Sequence, residues 1–396
     1  MFSIDDVSSA EAARRVGVAP GTLRRWVDAG LIVPAPAGGR WDSQSVARAR
    51  VIAQLRARGH SFERIREAVE DGRLAFGFAE QLGAESGGPY DLKAAARHVG
   101  LEPALVERIL TTMGFSVAAT QTLGDRDLEL LEHAAQALTL GFPLVAFLQL
   151  IRVYGQAVAD IADAEVRLFH LYVHEPLMRD GVPGPEIAEQ MTELSAQLLP
   201  LSVPVIDHLH RRLLQHFVEQ DVIRHIESDP NEASELGRVR VAIAFADLTG
   251  YTQLTEQQGD ERAAVIVERF ADLVKVTLPD AARVVKTIGD EVMVVSSDPE
   301  GLVDWAVGFQ QLAGDEARPR IGVHVGEVVY RDGDYFGREV NLAARVAARA
   351  ATGEVLATSA IVAAAGPNLE FTLLGEVRLK GFADPTELFL AELAGE

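Results

Sequence analysis

The stretch VRVAIAFADLTGYTQLTEQQGD (Val239–Asp260), followed at Ala281–Ser297 by AARVVKTIGDEVMVVSS, sets two aspartates at the ends of apolar runs. Asp247 closes the run Val239–Ala246 and is followed by the small residues Leu248-Thr249-Gly250-Tyr251-Thr252. Asp290 lies in Ile288-Gly289-Asp290-Glu291, between β-rich runs Ala282–Ile288 and Val292–Ser296, which reads as a hairpin tip. Two carboxylates at neighbouring strand ends, beside a turn with free amides, are suited to hold Mg²⁺ on a polyphosphate. Taken alone, each aspartate is better explained as a turn residue. What surrounds them decides.

Working outward, the chain reads strand (Arg238–Asp247), helix (Glu261–Leu278), the strand pair around Gly289-Asp290, helix (Glu300–Ala313) and strand (Arg320–Tyr330). A loop follows, then a helix (Glu339–Ala351) and further strands at Gly353–Thr358, Phe371–Lys380 and Leu388–Leu393. This βαββαβ order predicts a ferredoxin-like layer with C-terminal additions.

FADLTGYT, KTIGDEVM and DYFGREVNLAARV, in that order, make Val239–Leu393 resemble the class III adenylyl cyclase catalytic domain. The resemblance implies that Asp247 and Asp290 bind two Mg²⁺ or Mn²⁺ ions, with the carbonyl of Leu248 as a further ligand. It implies that Lys286 and Asp334 read adenine, that Asn341 orients the ribose and that Arg345 is the transition-state arginine. Arg320 and Lys380 match triphosphate-binding residues, and the turn Thr249, Gly250, Tyr251 and Thr252 offers backbone N–H groups to phosphate at a helix N-terminus. Tyr251 stands where the family usually has Phe, and Glu291-Val292 follows the second aspartate; neither departure removes a catalytic group. The chemistry suits the residues: the ribose 3′-oxygen attacks the α-phosphorus in line and pyrophosphate leaves. A planar, permanently charged arginine fork is suited to the developing charge. A lysine donor and an aspartate acceptor suit N1 and the N6 amine of adenine, so ATP is the expected substrate. In the family the site is built between two catalytic domains. One copy carrying all six residues therefore implies a homodimer with two equivalent sites.

The 396 residues predict two or three domains, 48% of them apolar. The sequence has no cysteine, which excludes disulfides, thiolate metal sites and Cys nucleophiles. No uninterrupted apolar run of 18 residues and no signal-peptide h-region are seen, so no membrane span and a cytoplasmic location are expected. The net charge of −21 is uneven: residues 1–75 carry 12 Lys/Arg and 9 Asp/Glu. Ser9–Pro34 has helix-turn-helix spacing, with helices Ala10–Val16 and Gly21–Ala29, a wing at Ala35–Trp41, and helices from Ser43 and at Glu63–Glu70. "AGL" after the second helix and RGHSFERIREAVE resemble the MerR DNA-binding domain. That makes Arg14, Arg15, Arg24 and Arg25 the candidate DNA contacts. The charge of only +3 favours a protein-docking module over a DNA reader. So does a degenerate second copy at Ala94–Tyr154, in which AARHVG echoes AARRVG without the basic second helix.

Gln156–Ser228 reads as long helices broken at Pro176, around Gly181–Pro185, and at Pro200 and Pro204. It holds six of the ten histidines: His170, His174, His208, His210, His216 and His225. Ordinary amphipathic helices are the first reading, a zinc site a second, and a pH switch acting on the C-terminal domain a third. The apolar helix Leu144–Tyr154 reads first as ordinary core; a fatty acid in a pocket lined by it, or a proton, is the candidate regulator. The layout is similar to that of the pH-responsive mycobacterial cyclases. The expected domains are 1–82 (MerR-like), 90–155 (the second, winged-helix-like repeat), 156–232 (helical linker) and 236–396 (catalytic domain). The competing reading is a MerR-like transcription regulator whose cyclase-like domain binds nucleotide without catalysis.

Overall fold

A computed structural model describes residues 6–32, 40–74, 88–117, 123–227, 237–250, 255–256, 259–314 and 318–395. Residues 35–39 of the expected wing, most of the linker 83–89, and Tyr251 and Thr252 lie outside the described residues. The chain divides into two compact units, 1–211 and 212–396.

The first unit is helical. Helices α1 (Ser9–Val16), α2 (Pro20–Asp28), α3 (Ser43–Ala57) and α4 (Phe62–Glu70) enclose a small core of Ala12, Leu23, Trp26, Ile32, Trp41 and Ile52. The same plan recurs in α5 (Leu92–Val99), α6 (Pro103–Thr112), α7 (Asp125–Thr139) and the start of α8 (Leu144–Phe169), around Ala95, Ile109, Leu131 and Phe147. The parallel extends to detail. Ser8 and Asp91 cap α1 and α5 through their side chains, and both helices end at a left-handed glycine, Gly17 and Gly100, where L side chains are strained. Each copy carries one antiparallel bridge, Val7–Trp41 in the first and Tyr90–Leu123 in the second.

The proline breaks need correcting. At Pro176 the helix does not stop; a π-helical turn, His170–His174, leads directly into α9 (Glu175–Arg179). Proline has no N–H to give one turn back, and the widened turn absorbs that loss. Pro200 and Pro204 lie inside one helix, α10 (Gly184–Glu227). The carbonyls that lose their donors belong to Ala196 and Pro200, both exposed residues where water can serve instead. The break at Gly181–Pro185 is present, with Gly181 left-handed. The stretch Leu144–Arg179 is, by length and composition, apolar enough to cross a membrane, although charged residues interrupt it; its best window has a mean hydropathy of 1.4. Core packing engages only part of it: Phe147, Leu148 and Ile151 are buried.

The second unit is a mixed eight-stranded sheet. In chain order it comprises β1 (Arg238–Leu248), α11 (Asp260–Thr277), β2 (Ala282–Ile288), β3 (Glu291–Ser296), α12 (Pro299–Leu312) and β4 (Pro319–Arg331). Then come β5 (Asp334–Phe336), α13 (Arg338–Ala347), β6 (Val355–Thr358), a short α14 (Ser359–Val362), β7 (Leu369–Val377) and β8 (Thr386–Leu393). The order β2-β3-β1-β4, antiparallel throughout, is the ferredoxin-like layer expected, and β6-β8-β7 extends it through a parallel β4–β6 pairing. Alternation along β1 assigns its two faces. Ala242, Ala244 and Ala246 pack with Phe270, Trp305 and Phe309 of α11 and α12, while Val241, Ile243 and Phe245 pack with Val340, Ala343 and Ala347 of α13. Asp247 continues the second series. The strip expected as a loop after Tyr330 is instead a tight hairpin. Asp332 (φ 53°) and Gly333 (φ 82°) form a two-residue turn that pairs Arg331 with Asp334 and starts β5.

Candidate active site

Two groups of side chains form on the second unit. The first gathers at the C-terminal end of β1. Asp247 is paired with Glu291 of β3 on one side and Arg320 of β4 on the other. Arg320 donates from Nε to Asp247 Oδ2 at 2.7 Å, and Nη2 reaches the same oxygen. Asp290 sits at the β2–β3 tip after the left-handed Gly289, and its carbonyl accepts from the Leu248 N–H at 3.2 Å, which fixes the tip beside the end of β1. Burial, and then the charge of Asp247, push the Asp290 carboxyl above its ordinary range; the same two causes raise Glu291. Thr249 donates to the Arg318 carbonyl at 3.3 Å and accepts from Thr352 at 2.7 Å, and Gly250 is left-handed and exposed.

The second group lies along α13 and the turn after β7. Arg338, Asn341 and Arg345, on one helical face, line a groove of about 510 Å³ with Lys380, Gly381, Phe382, Ala383 and Asp384. Arg338 stands 5.1 Å over the Phe382 ring. The sequence reading does not single it out; its signal is the spacing 338, 341, 345, one helical turn ahead of Asn341 and Arg345. α13 is held to the sheet by His324, buried on β4. With burial pushing its pKa down, His324 is neutral, so Nε2–H donates to Glu339 at 2.7 Å and Nδ1 accepts from the Thr358 hydroxyl at 2.8 Å. Gly322 allows the close approach of helix and strand: a Cβ there would lie 2.0 Å from the Ala347 nitrogen.

A further ion pair joins the edge strand β2 to β5, Lys286 Nζ to Asp334 Oδ2 at 2.5 Å. Strand alternation alone would put Arg283 and Lys286 on opposite faces of β2. A bulge between Val284 and Lys286 restores the register, so Arg283 pairs with Val295 and Lys286 with Met293, both on the α13 side. Asp334 is delivered to Lys286 by the Asp332-Gly333 turn.

Among the described residues, neither Asn341 nor Arg345 has a hydrogen bond or ion pair to Asp247 or Asp290, and no three His, Asp or Glu side chains cluster as a metal cage. The histidine pair of the first unit has a plainer explanation than zinc. His174 is buried and gives Nε2–H to the Gly72 carbonyl at 2.8 Å, while its Nδ1 lies 3.1 Å from His170 Nδ1. In the helix-turn-helix, Arg14 and Arg15 both pair with Glu11, and Arg25 turns back on Thr22 and Gly21.

Against known families, residues 237–392 match the adenylate and guanylate cyclase catalytic domain, residues 7–71 the MerR HTH family regulatory protein, and residues 41–218 the adenylate cyclase regulatory domain. An adenylate cyclase of Streptomyces coelicolor is 31% identical over 288 residues, 70% of this chain and 72% of that protein. The uncharacterised protein Rv2212 of Mycobacterium tuberculosis is 33% identical over 357 residues, covering 86% and 89%. The pH-sensitive adenylate cyclase MT1302 of the same species is 28% identical, covering 86% and 87%. The adenylyl cyclase CyaB of P. aeruginosa overlays 40% of this chain and 96% of its own at a TM-score of 0.37 and 21% identity. The chain belongs to the adenylate cyclase family. It is an enzyme converting ATP to cyclic AMP, with a MerR-like helix-turn-helix near its N-terminus, in a family that generally uses divalent metal ions.

Proposed function

We propose that this cyclase works at sites shared between two copies of itself, Asp247, Asp290 and the Leu248 carbonyl coming from one chain and Lys286, Asp334, Asn341 and Arg345 from the other. What supports the reading is the grouping itself: among the described residues, Asn341 and Arg345 make no hydrogen bond or ion pair to Asp247 or Asp290, although the charge of Arg345 is felt at Glu291. The carboxylate end suits a pair of Mg²⁺ or Mn²⁺ ions: two hard oxygen donors sit close enough for Asp247 to raise Asp290, a repulsion that a dication relieves. Cations held there supply charge neutralisation of the triphosphate and acidify the ribose 3′-hydroxyl.

The chain's own residues do the rest. Lys286 donates to N1 of adenine and Asp334 accepts from the N6 amine, each giving up part of its present pairing with the other. Asn341 orients the ribose so that the 3′-oxygen stands in line with the α-phosphorus. The new P–O bond forms as the bond to the β-phosphate oxygen breaks, and Arg345 stabilises the charge gathering on the α-phosphoryl oxygens. Arg320, Lys380, Thr249 and Gly250 serve the phosphates, as do Tyr251 and Thr252, which lie outside the described residues.

The four-part layout 1–82, 90–155, 156–232 and 236–396 assigns regulation to everything before the catalytic domain. A proton or a fatty acid is the proposed signal, docking rather than DNA reading the role of the helix-turn-helix, and the cytoplasm the location. Asp247→Asn in the full chain tests the core of the reading. Cyclic AMP formation with Mn²⁺ should fall about 100-fold or more, and full activity would remove Asp247 from the site.

A further inference from the structure

The mechanism leaves Arg283 of β2 unused, yet its guanidinium has both a hydrogen-bond partner and two aromatic neighbours. Its Nη2 donates to the Tyr335 hydroxyl at 3.1 Å, and its guanidinium lies 5.4 Å from the Tyr335 ring and 5.9 Å from that of Phe217. Phe217 is on the last turns of α10. With His216, Gln220 and Asp221 it walls a hollow of about 140 Å³ whose other side is Asp280–Arg283, Ser296, Ser297 and Tyr335.

Tyr335 is the neighbour of Asp334, and the link is more than sequence adjacency. The Tyr335 backbone N–H donates to Asp334 Oδ1 at 2.8 Å, while Asp334 Oδ2 faces Lys286. Each carboxylate oxygen is therefore set by a different partner, and one of those partners is anchored through its ring and hydroxyl to Arg283. Arg283 and Lys286 also share the bulged strand, on the same face because of the bulge. A planar guanidinium between two aromatic rings has a defined orientation, which an ammonium in the same place would lack.

We propose that Arg283 is a positioning residue for base selection: held between Phe217 of α10 and Tyr335, it fixes the Asp334–Lys286 pair and makes discrimination between adenine and guanine depend on how the end of α10 is seated. The inference rests on the assignment of Lys286 and Asp334 to the base.

The test uses purified full-length enzyme with Mn²⁺, reading kcat, the KM for ATP and the inhibition constant of GTP as competitor. Arg283→Met keeps the apolar stem and removes the fork. It should raise the ATP KM and narrow the ATP-over-GTP preference, each by about three- to tenfold, the net worth of one ordinary hydrogen bond, with kcat changed less. Tyr335→Phe and Phe217→Ala should move the same two quantities in the same direction. Phe217 is 45% exposed, so its removal probes the link without excavating a core should Arg283→Met fold poorly. Lys286→Ala and Asp334→Ala separate the two layers. If they leave the nucleotide preference intact, the base assignment fails. If they erase it while Arg283→Met and Phe217→Ala leave preference and KM unchanged, or lower kcat for both nucleotides alike, the positioning role is overturned and the base assignment stands.

Discussion

A shared site makes an arithmetic demand on mixed dimers. Asp247→Asn is nearly isosteric: the amide oxygen still accepts from Arg320 Nε, so the strand end keeps its partner while the charge a cation needs is lost. Arg345→Met removes the guanidinium from an exposed position on α13 and leaves the buried side of that helix, Val340, Ala343, Val346 and Ala347, untouched. Each homodimer should retain about 1% of activity or less, the usual loss of about 10²- to 10³-fold for a preorganised transition-state group. The two variants, co-expressed with different tags and purified through both, give a dimer in which one site is broken twice and the other is whole. Its cyclic AMP output should be about half that of wild type per dimer. Sites built within single chains would each carry one lesion, and output would stay at about 1%, a gap of about fiftyfold that no plausible error in protein concentration can bridge. An output at the level of the parents, from a dimer whose two tags are both verified, refutes the shared site.

Arg320 occupies Asp247 in the structure, so Arg320→Gln should release a carboxylate while weakening phosphate binding: the Mn²⁺ concentration for half-activity falls and the KM for ATP rises, each about threefold, and two unchanged values would place Arg320 outside the site. Gly322→Ala places a Cβ 2.0 Å from the Ala347 nitrogen and must push α13 off the sheet, so the second unit should lose about 1–3 kcal/mol, read as a lower Tm, with kcat falling because Asn341 and Arg345 ride on that helix. His324 faces Glu339 and Arg338 of α13, Arg240 of β1 and Thr358, and its pKa lies below the ordinary 6.5. The unfolded chain then takes up a proton that the folded His324 refuses, so this residue makes stability fall as pH drops below about 6.5 towards its folded pKa. Urea titrations of wild type and His324→Gln at successive pH values should show a shallower slope for the variant in that window, and equal slopes would mean His324 is not the group responsible.

How much of this was legible before the fold was known depends on the kind of signal. The β1 run and the hairpin at Gly289-Asp290 were readable because an apolar β-rich run and a Gly-Asp turn are local signals, and the ferredoxin-like order follows from counting such elements. The prolines of α10 misled, because a proline forbids one hydrogen bond and that bond is expendable on an exposed helix. After Tyr330, Asp332-Gly333 between two tyrosine-bearing strands is a strong two-residue hairpin signal, but the strand that results, Asp334–Phe336, is too short to register by periodicity, so the sequence suggests a loop there. Least visible was the bulge at Val284–Lys286. Period-two alternation sends Lys286 to the face opposite Arg283, away from Asp334, and only the pairing with β3 reveals the extra residue. A bulge costs a strand some regularity, and a regular β2 would have lost the ion pair with Asp334 altogether. The irregularity in β2 and the tight turn before β5 are thus two halves of one arrangement: each aims a charged side chain at the other, and neither alone would bring Lys286 and Asp334 within reach of a common base.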